Sequence, residues 1–360
     1  MSSEDGETKR DETGRLVIRG HAAVVAAAHD PDTFSSNVSR HLQLPNGVDG
    51  LVHRIARRFV DPFFAATEID DLQSALRPIA ADLIDTLATA GEVFDAVEDL
   101  GARYAVRAQS AWLGWSREHE DALLSWVSDS RDAVRAGDRQ RISRSAADFE
   151  GIIGALIAER RARPADDVTT RLMTTPTDEG ETLTDPEIVS ILRNWTGGDL
   201  STLALCAGVV VHWLVAHPYH LPYLRTALNV ELDAAIDEIL RADDPFVSNR
   251  RVARVDTEIA GCSVRAGEVV VLDWRAANRD PTAFADPCGF DPHGHAAANL
   301  VYGTGPHSCP GRGLATLELR VLVRALLDSG EIVLAGAPVR EEAPAAGFRV
   351  LPVRLVAASR

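Results

Sequence analysis

One cysteine lies in a segment whose composition differs from the rest of the chain. Residues 302–311 read Tyr-Gly-Thr-Gly-Pro-His-Ser-Cys-Pro-Gly, so that Cys309 is surrounded by three glycines and two prolines. Glycine lets a backbone pass close to a flat ligand, and proline fixes the chain direction and removes a donor. A helix is predicted from about Gly311, and the unpaired N–H groups at its start favour thiolate over thiol. Cys309 is therefore predicted to bind a soft or borderline metal.

The other cysteines limit the kind of metal site. Cys206, Cys262 and Cys288 are spread thinly along the chain, and none of the four cysteines belongs to a CxxC pair. A zinc knuckle, an iron–sulfur cluster and a disulfide framework are not indicated, and a reducing cytoplasm fits. One axial thiolate on a heme iron is the simplest remaining interpretation. The alternative is an ordinary loop in which Cys309 is a buried thiol without a ligand.

The whole segment resembles the heme-binding loop of the cytochrome P450 family, whose pattern is Phe-Gly-x-Gly-x-His-x-Cys-x-Gly. Every defining position matches except the first, where Tyr302 replaces phenylalanine. The resemblance implies that Cys309 is the thiolate ligand of heme b, which is iron protoporphyrin IX, and that Gly303 and Gly311 help to bind this cofactor. It extends over nearly the whole chain from about Leu16 onward.

The resemblance also implies which side chains hold the two heme propionates. Buried carboxylates need cationic or hydrogen-bond-donating partners. His53 and Arg57 are four residues apart on a predicted helix and so share one face, and Arg251 and His307 occupy the other two matching positions. Each of these residues alone is as typical of a solvated surface charge. The match of the whole set favours a propionate site.

Two residues three positions apart match a further motif of the family. Glu238 and Arg241 lie on one face of a predicted helix, where they can pair with each other. The spacing alone is weak evidence, because Glu7 with Arg10 shows it too. Its position ahead of the cysteine loop matches the ExxR motif of the family, and this implies that the pair braces a coil behind the heme.

One position of this network departs from the family. An arginine normally follows the Phe-Asp pair of the family and completes the ExxR network, and the aligned residue here is Gly294. His293 or His295 is expected to replace it, which would make the network sensitive to pH. The segment before Leu16 is also shorter than in the family, as is expected of a trimmed chain or of a misplaced start codon.

A long apolar helix is predicted between the capping box Thr184-Asp185-Pro186-Glu187 and His217-Pro218. In the family the corresponding helix lies over the heme and carries an Ala/Gly-Gly-x-Asp/Glu-Thr-Thr signature. Counting from either end places Thr202 at the threonine of this signature. By resemblance its hydroxyl holds a water and passes protons to the oxygen substrate.

The proton supply to Thr202 departs from the family pattern. Ser201 stands where the family has an acid, and a serine does not ionise at ordinary pH. Asp199 lies one helical turn before Thr202 and is the candidate relay. The alternative is that Asp199 only caps or kinks a bulge at Gly197-Gly198.

The elements that must position these residues are mainly helical with small sheets, an α+β fold. Residues 52–163 show the three- and four-residue apolar spacing of consecutive helices, short strand-like pieces lie between 252 and 272, and a last helix is predicted over 311–327. One domain of the cytochrome P450 fold is expected over 16–360. Residues 1–15 lack apolar periodicity and are expected to be a disordered tail.

Composition and charge exclude several classes of function. With 46% apolar and 25% charged residues, the 360-residue chain has enough apolar side chains for a large core. Its 53 acidic and 37 basic residues give a net charge of −16, which would repel nucleic acid and anionic lipid. The start lacks the pattern of a secretory signal, and the apolar run Leu203–Val211 is too short to span a bilayer. A cytoplasmic protein that binds neither nucleic acid nor membrane is expected.

These features together resemble a soluble, bacterial-type cytochrome P450. The resemblance implies a monooxygenase that inserts one atom of dioxygen into a small apolar or aromatic substrate. It also implies that residues 35–48 and 246–248 line the substrate pocket. The sequence has no flavin or iron–sulfur motif, so a separate ferredoxin with an NAD(P)H-dependent reductase is expected to dock near Cys309. Two alternatives stay open. A peroxygenase that uses hydrogen peroxide is favoured by Ser201, and a non-catalytic heme binder or sensor is favoured by Gly294.

Overall fold

The computed structural model describes residues 6–356, apart from the side chains of Ala90 and Asp199. Helices dominate, as the apolar spacing predicts. In chain order the helices are α1 His21–His29, α2 Gly50–Val60, α3 Ala66–Ile69, α4 Leu72–Ala90, α5 Arg103–Leu113, α6 Glu120–Arg135, α7 Arg139–Ala162, α8 Val168–Thr174, α9 Asp185–Ala216, α10 Leu221–Thr226, α11 Asn229–Ala242, α12 Trp274–Ala277 and α13 Arg312–Ser329.

The strands are short and form small sheets. They are β1 Thr8–Arg10, β2 Leu16–Ile18, β3 Phe34–Ser35, β4 Phe94–Asp95, β5 Ser248–Ala253, β6 Thr257–Ile259, β7 Cys262–Val264, β8 Val269–Asp273, β9 Glu331–Leu334, β10 Val339–Arg340, β11 Phe348–Val350 and β12 Pro352–Val356. The predicted mixture of many helices and small sheets is therefore confirmed.

The chain divides into two compact units, although the sequence suggests one domain. Unit 1 takes the residues up to Asp61 and residues 234–312, and unit 2 takes residues 62–233 together with the residues from Gly313 onward. Both units are thus built from separated stretches of chain. The chain passes between the units after residues 61, 233 and 312, and the second of these passages lies within α11. Because no linker separates the units there, the composition of the sequence does not indicate the boundaries.

Unit 1 is organised around one sheet of strand order β1-β2-β8-β5-β3. Strand β2 pairs parallel with β8, and the other neighbouring pairs are antiparallel. The core on this sheet is fully apolar at Ile18, Val270 and Leu272, which are all buried, and α1 and Trp274 pack on it. This sheet positions β5, which carries Arg251.

The predicted tail is wrong over residues 8–10, which form β1 on the edge of this sheet. Asp11 makes the turn that returns the chain to β2, because its carboxylate accepts hydrogen bonds from Thr13 N at 2.9 Å and Arg15 N at 3.0 Å. The strand is polar and lies at the sheet edge, so it shows no apolar alternation that a sequence reading could detect. Residues 1–5 of the predicted tail lie outside the described residues.

Unit 2 is a helical body around α9. A π-helical turn, Ala96–Ala102, runs into α5 and packs closely on α9. Glycine makes this contact possible at two points: a Cβ on Gly101 would lie 2.7 Å from Ala204 O, and a Cβ on Gly208 would lie 2.7 Å from Val97 Cγ2. Because most of the apolar face of α9 is covered, the helix is a core element.

The length of α9 corrects one statement made from the sequence. The apolar run Leu203–Val211 alone is too short to cross a bilayer. The complete helix α9, however, has the length and the apolar composition that a membrane-spanning helix needs. Most of that stretch is buried inside the protein, as in the core helix of a globular protein. The capping box at its start is present, with Thr184 N donating to Glu187 Oε2 at 2.8 Å.

Candidate functional site

The cysteine loop is closed by its own backbone. Cys309 N donates to Tyr302 O at 2.9 Å, and Gly303 N donates to Leu300 O at 2.8 Å. Cys309 itself is exposed, is in no disulfide and precedes α13 by three residues, with Gly311 immediately before the helix. The sulfur is therefore placed at a helix start, the position that stabilises a thiolate.

Two glycines of this loop adopt backbone angles that other residues rarely take. Gly303 has φ 66° and Gly305 has φ 73°. A Cβ on Gly305 would lie 2.5 Å from Ala28 O, so that this glycine is required for the loop to pack on α1. A Cβ on Gly303 would find no atom closer than 4.0 Å, so that here glycine leaves room beside the backbone.

Arg57 connects α2 to the cysteine loop. Its Nη1 donates to Pro306 O at 2.9 Å and to Ser308 O at 3.0 Å, and its Nε donates to Asp61 Oδ1 at 2.5 Å. A guanidinium that bridges two carbonyls on either side of His307 fixes the position of α2 relative to this loop. The residue that sequence reasoning assigns to a propionate thus has a bracing contact as well.

His53 and His307 lie against each other, with ring centroids 4.1 Å apart. His53 is buried on α2. Burial lowers the pKa of His53 to about 4, and electrostatic interactions with His307 and Arg57 act in the same direction. His53 is therefore neutral near pH 7 and can donate one hydrogen bond.

Arg251 on β5 is the least compensated cation of this region. It is buried, and Nη1 donates to Arg250 O at 2.9 Å, but no carboxylate of the described residues lies within salt-bridge distance. Burial lowers its pKa, and attraction to the more distant Asp49 opposes the shift. A buried guanidinium without an adjacent carboxylate is suited to bind an anionic group.

These side chains fit a heme. His53, Arg251 and His307, called the donor cluster below, belong to the same unit as the cysteine loop. The cluster supplies a buried cation and two imidazoles, which suits a pair of propionates, and the exposed sulfur of Cys309 suits an axial ligand. The described residues contain no group of three or more His, Cys, Asp or Glu that would hold a metal ion by itself.

One carboxylate beside the donor cluster was not singled out from the sequence. Asp49 directly precedes α2, and its Oδ1 accepts a hydrogen bond from His307 Nε2 at 3.1 Å. An aspartate before a predicted helix is normally interpreted as a cap, so the sequence carries no signal for this contact.

The ExxR pair forms the predicted ion pair in the interior of unit 1. Arg241 Nε lies 2.7 Å from Glu238 Oε2, and Nη2 lies 2.9 Å from Oε1. The rest of the guanidinium donates to three carbonyls of the following coil, those of Asn278, Pro287 and Gly289. The pair therefore holds the coil that leads to the cysteine loop.

His295, and not His293, takes the place that the family gives to an arginine. His295 is buried and its Nδ1 lies 2.7 Å from Glu238 Oε1, whereas His293 is exposed. Gly294 between them forms a turn in which its N–H donates to Asp291 Oδ1 at 2.8 Å. Because this turn separates them, His295 lies in the interior beside Glu238 and His293 lies at the surface.

The residues predicted to handle protons lie on α9, which belongs to unit 2. The helix extends through Gly197-Gly198 and includes Asp199. Ser201 and Thr202 follow in the same helix with half-buried side chains. The structure thus unites the donor cluster with the cysteine loop and places these three residues on a separate element.

Comparison with known proteins gives one consistent family. The cytochrome P450 family model matches residues 132–334. Cyclomarin C epoxidase from Salinispora arenicola is 30% identical over 88% of this chain and 84% of its own, and erythromycin C-12 hydroxylase from Saccharopolyspora erythraea is 30% identical over 88% and 82%. The solved structure of the open cytochrome P450 EryK from S. erythraea superposes with a TM-score of 0.89 at 28% identity, covering 99% of this chain and 94% of that one.

Proposed function

The chain belongs to the cytochrome P450 family and is an oxygen-incorporating oxidoreductase, and on this basis we propose that it is a heme-thiolate monooxygenase of an apolar organic substrate. The observation that carries the proposal is the cysteine loop together with the buried Arg251 in the same unit, which has no carboxylate of the described residues within salt-bridge distance. The predicted family and fold are confirmed by the family model and by the structural neighbours.

The cofactor of the family is heme, and heme b is the form we assign here. Cys309 would supply the axial thiolate, with Gly303 and Gly311 shaping the loop around it. His53, Arg57, Arg251 and His307 would hold the propionates, a role supported by the burial of Arg251 and of His53. When bound in this way, heme supplies the centre at which dioxygen is activated for insertion of one oxygen atom into the substrate.

Three residues of α9 would form the path by which this reaction receives its protons. Thr202 would hold a water through its hydroxyl, and Asp199 would pass a proton to that water from one helical turn away. Ser201 would orient water without supplying a proton, since a hydroxyl does not ionise near neutral pH. The support for this relay is the spacing, because Asp199 lies three residues before Thr202 in the same helix.

Electrons would come from a ferredoxin and its NAD(P)H-dependent reductase. The supporting surface is α2, where Leu51, Val52 and Ile55 are exposed beside exposed Arg54 and Arg58. An apolar and basic surface on a chain of net charge −16 is suited to an acidic partner. A cytoplasmic location follows from this partner and is part of the proposal.

The substrate is proposed to be small and apolar or aromatic, and residues 35–48 and 246–248 are proposed to line its pocket. Relatives named for epoxidation of cyclomarin C and for hydroxylation of erythromycin at C-12 support C=C epoxidation and C–H hydroxylation as the reaction types. Screening compounds for a shift of the Soret band would identify ligands that enter the site.

Carbon monoxide tests the heme-thiolate assignment directly. The reduced protein with carbon monoxide is expected to show the far-displaced Soret band of thiolate-ligated heme, and Cys309→Ala is expected to lose this band. Cys288→Ala is the matched control, because Cys288 is also exposed and in the same unit. A band that is absent from the wild type or unchanged in Cys309→Ala contradicts the proposed function.

A peroxygenase of the same fold is the second candidate, and Ser201 is the observation that favours it. Such an enzyme forms product with hydrogen peroxide alone, whereas the monooxygenase needs reductase and ferredoxin. The non-catalytic binder is less supported than the sequence suggests, since His295 occupies the position that Gly294 leaves open.

A further inference from the structure

Asp49 lies at the junction of four segments of unit 1. Its carboxylate is 1% exposed and accepts hydrogen bonds on both oxygens. Oδ1 accepts from His307 Nε2 at 3.1 Å and from Ser36 N at 3.1 Å. Oδ2 accepts from Ser35 Oγ at 2.5 Å and from Arg254 Nη2 at 2.9 Å.

These bonds replace the role that an aspartate normally has at this position. Asp49 is the residue before α2, where a carboxylate usually accepts hydrogen bonds from the first N–H groups of the helix. Here the side chain makes no cap bond. Its full bonding capacity is directed to β3, to the cysteine loop and to the chain after β5, so its function concerns these segments and not the helix end.

Three of the four donors keep the buried carboxylate ionised. Burial alone would raise the pKa of Asp49, but the hydrogen bonds from His307, Ser35 and the Ser36 backbone hold it well below its usual range. The anion is thus a permanent part of the site at neutral pH.

The contact with Asp49 determines how His307 presents its ring. An ionised carboxylate only accepts, so Nε2 of His307 carries the proton and donates to Asp49. The ring is also held by His53 at a centroid distance of 4.1 Å. With Nε2 engaged and the ring plane fixed, only Nδ1 is left to meet a ligand.

We propose that Asp49 is a positioning residue for heme binding, which fixes the imidazole of His307 in the position from which it would meet a propionate. The inference rests on the proposed function. The observation that carries it is the contact of Oδ1 with His307, because Ser35 and Arg254 bond to the other oxygen and Ser36 contributes only its backbone N–H to Oδ1. A partner that orients a ligand-binding histidine commonly changes affinity by roughly 10–100-fold.

A double-mutant cycle on the holoenzyme tests this role. Heme release to excess apomyoglobin is measured for the wild type, Asp49→Asn, His307→Gln and the double variant. Asp49→Asn is expected to release heme about tenfold faster than the wild type. In the His307→Gln background the same change is expected to have an effect of less than about twofold, because the residue it positions is gone.

Two further variants separate orientation from folding. Arg254→Gln removes the guanidinium that donates to Oδ2 and leaves the contact between Oδ1 and His307 in place, and it is expected to change heme release by less than about twofold. Asp49→Glu keeps the charge and displaces the carboxylate, and its faster release should likewise vanish when His307 is replaced. This second cycle serves if Asp49→Asn does not fold.

The outcomes distinguish the inference from the proposed function. A wild-type protein without the displaced carbon monoxide band overturns the proposed function, and the inference with it. A wild-type protein with that band, combined with unchanged release in Asp49→Asn or with equal effects in both His307 backgrounds, overturns the inference alone.

Discussion

Glu238 is the residue on which the coil before the cysteine loop converges. Its Oε1 receives Arg241 Nη2, His295 Nδ1 and the backbone N–H of Asp291, the last at 3.1 Å. Phe284 packs edge-on against His295, and its ring face lies against the Arg241 guanidinium, so an apolar side chain covers one side of the ionic network. Losing one donor leaves the buried carboxylate less compensated.

His295→Ala is expected to reduce the free energy of unfolding by about 1–3 kcal/mol, because a buried charged acceptor loses a hydrogen bond. Urea unfolding of the holoenzyme measures the change. His293→Ala is the matched control, since this neighbouring histidine is exposed and should behave like the wild type. Equal stability of the two variants would show that His295 has no part in the network.

His53 predicts a pH dependence of stability. Its pKa is about 4 in the native state and 6.5 when unperturbed, so between these values the unfolded chain binds a proton that the native protein does not. The free energy of unfolding of the heme-free protein is expected to fall as pH is lowered from about 6.5 to 4. His53→Gln cannot titrate and is expected to show a shallower fall in urea unfolding over this window. Parallel curves for the two proteins contradict this.

At this scale the sequence predicts residue types better than contacts. Cys309, His307 and the pair Glu238 and Arg241 are singled out because the segments that carry them resemble motifs of the family. The partner of His307 is not found, since Asp49 is distant in sequence and its side chain turns away from the helix it precedes. Contacts of this kind depend on tertiary packing, which one sequence does not show.

Among the elements, α9 best shows what local sequence can specify. Its capping box and its end at His217 are both predicted, because caps and proline act through neighbouring residues. Its packing against the π-helical turn Ala96–Ala102 is not predicted, although Gly101 and Gly208 permit it. A glycine inside an apolar run indicates a close approach only after the partner element is known.

The proton supply on α9 is testable by exchange of a single side chain. Ser201→Asp would place an ionisable group beside Thr202 and is expected to raise the product formed per NAD(P)H, with less hydrogen peroxide released. Thr202→Ala is expected to lower coupled turnover by about tenfold or more. Oxygen uptake, peroxide and product are measured together. Unchanged coupling in both variants would remove α9 from the proton path.

For the whole molecule, the contrast between net charge and the α2 surface predicts how electrons arrive. Arg54→Glu with Arg58→Glu is expected to slow reduction by ferredoxin about tenfold, since charge complementarity mainly sets the association rate. Stopped-flow reduction at two salt concentrations measures the effect, and high salt should weaken it. The matched control is Arg139→Glu with Arg141→Glu, an exposed pair on α7 in unit 2.

The same double variant should leave turnover with hydrogen peroxide unchanged, because that route needs no partner. Slower turnover with peroxide would mean that the substitutions disturb the site and not the docking surface.

The discontinuous build of unit 1 sets a sequence of events during translation. His53 and Arg57 leave the ribosome before residues 62–233 are made, whereas Arg251, His307 and Cys309 come after them. His53 and Arg57 are therefore synthesised first, and their partners in the site follow only after a stretch of chain that belongs to the other unit. On the proposed heme-thiolate assignment, a nascent chain is expected to bind heme only after synthesis has passed Cys309, so truncated products of the message should be colourless.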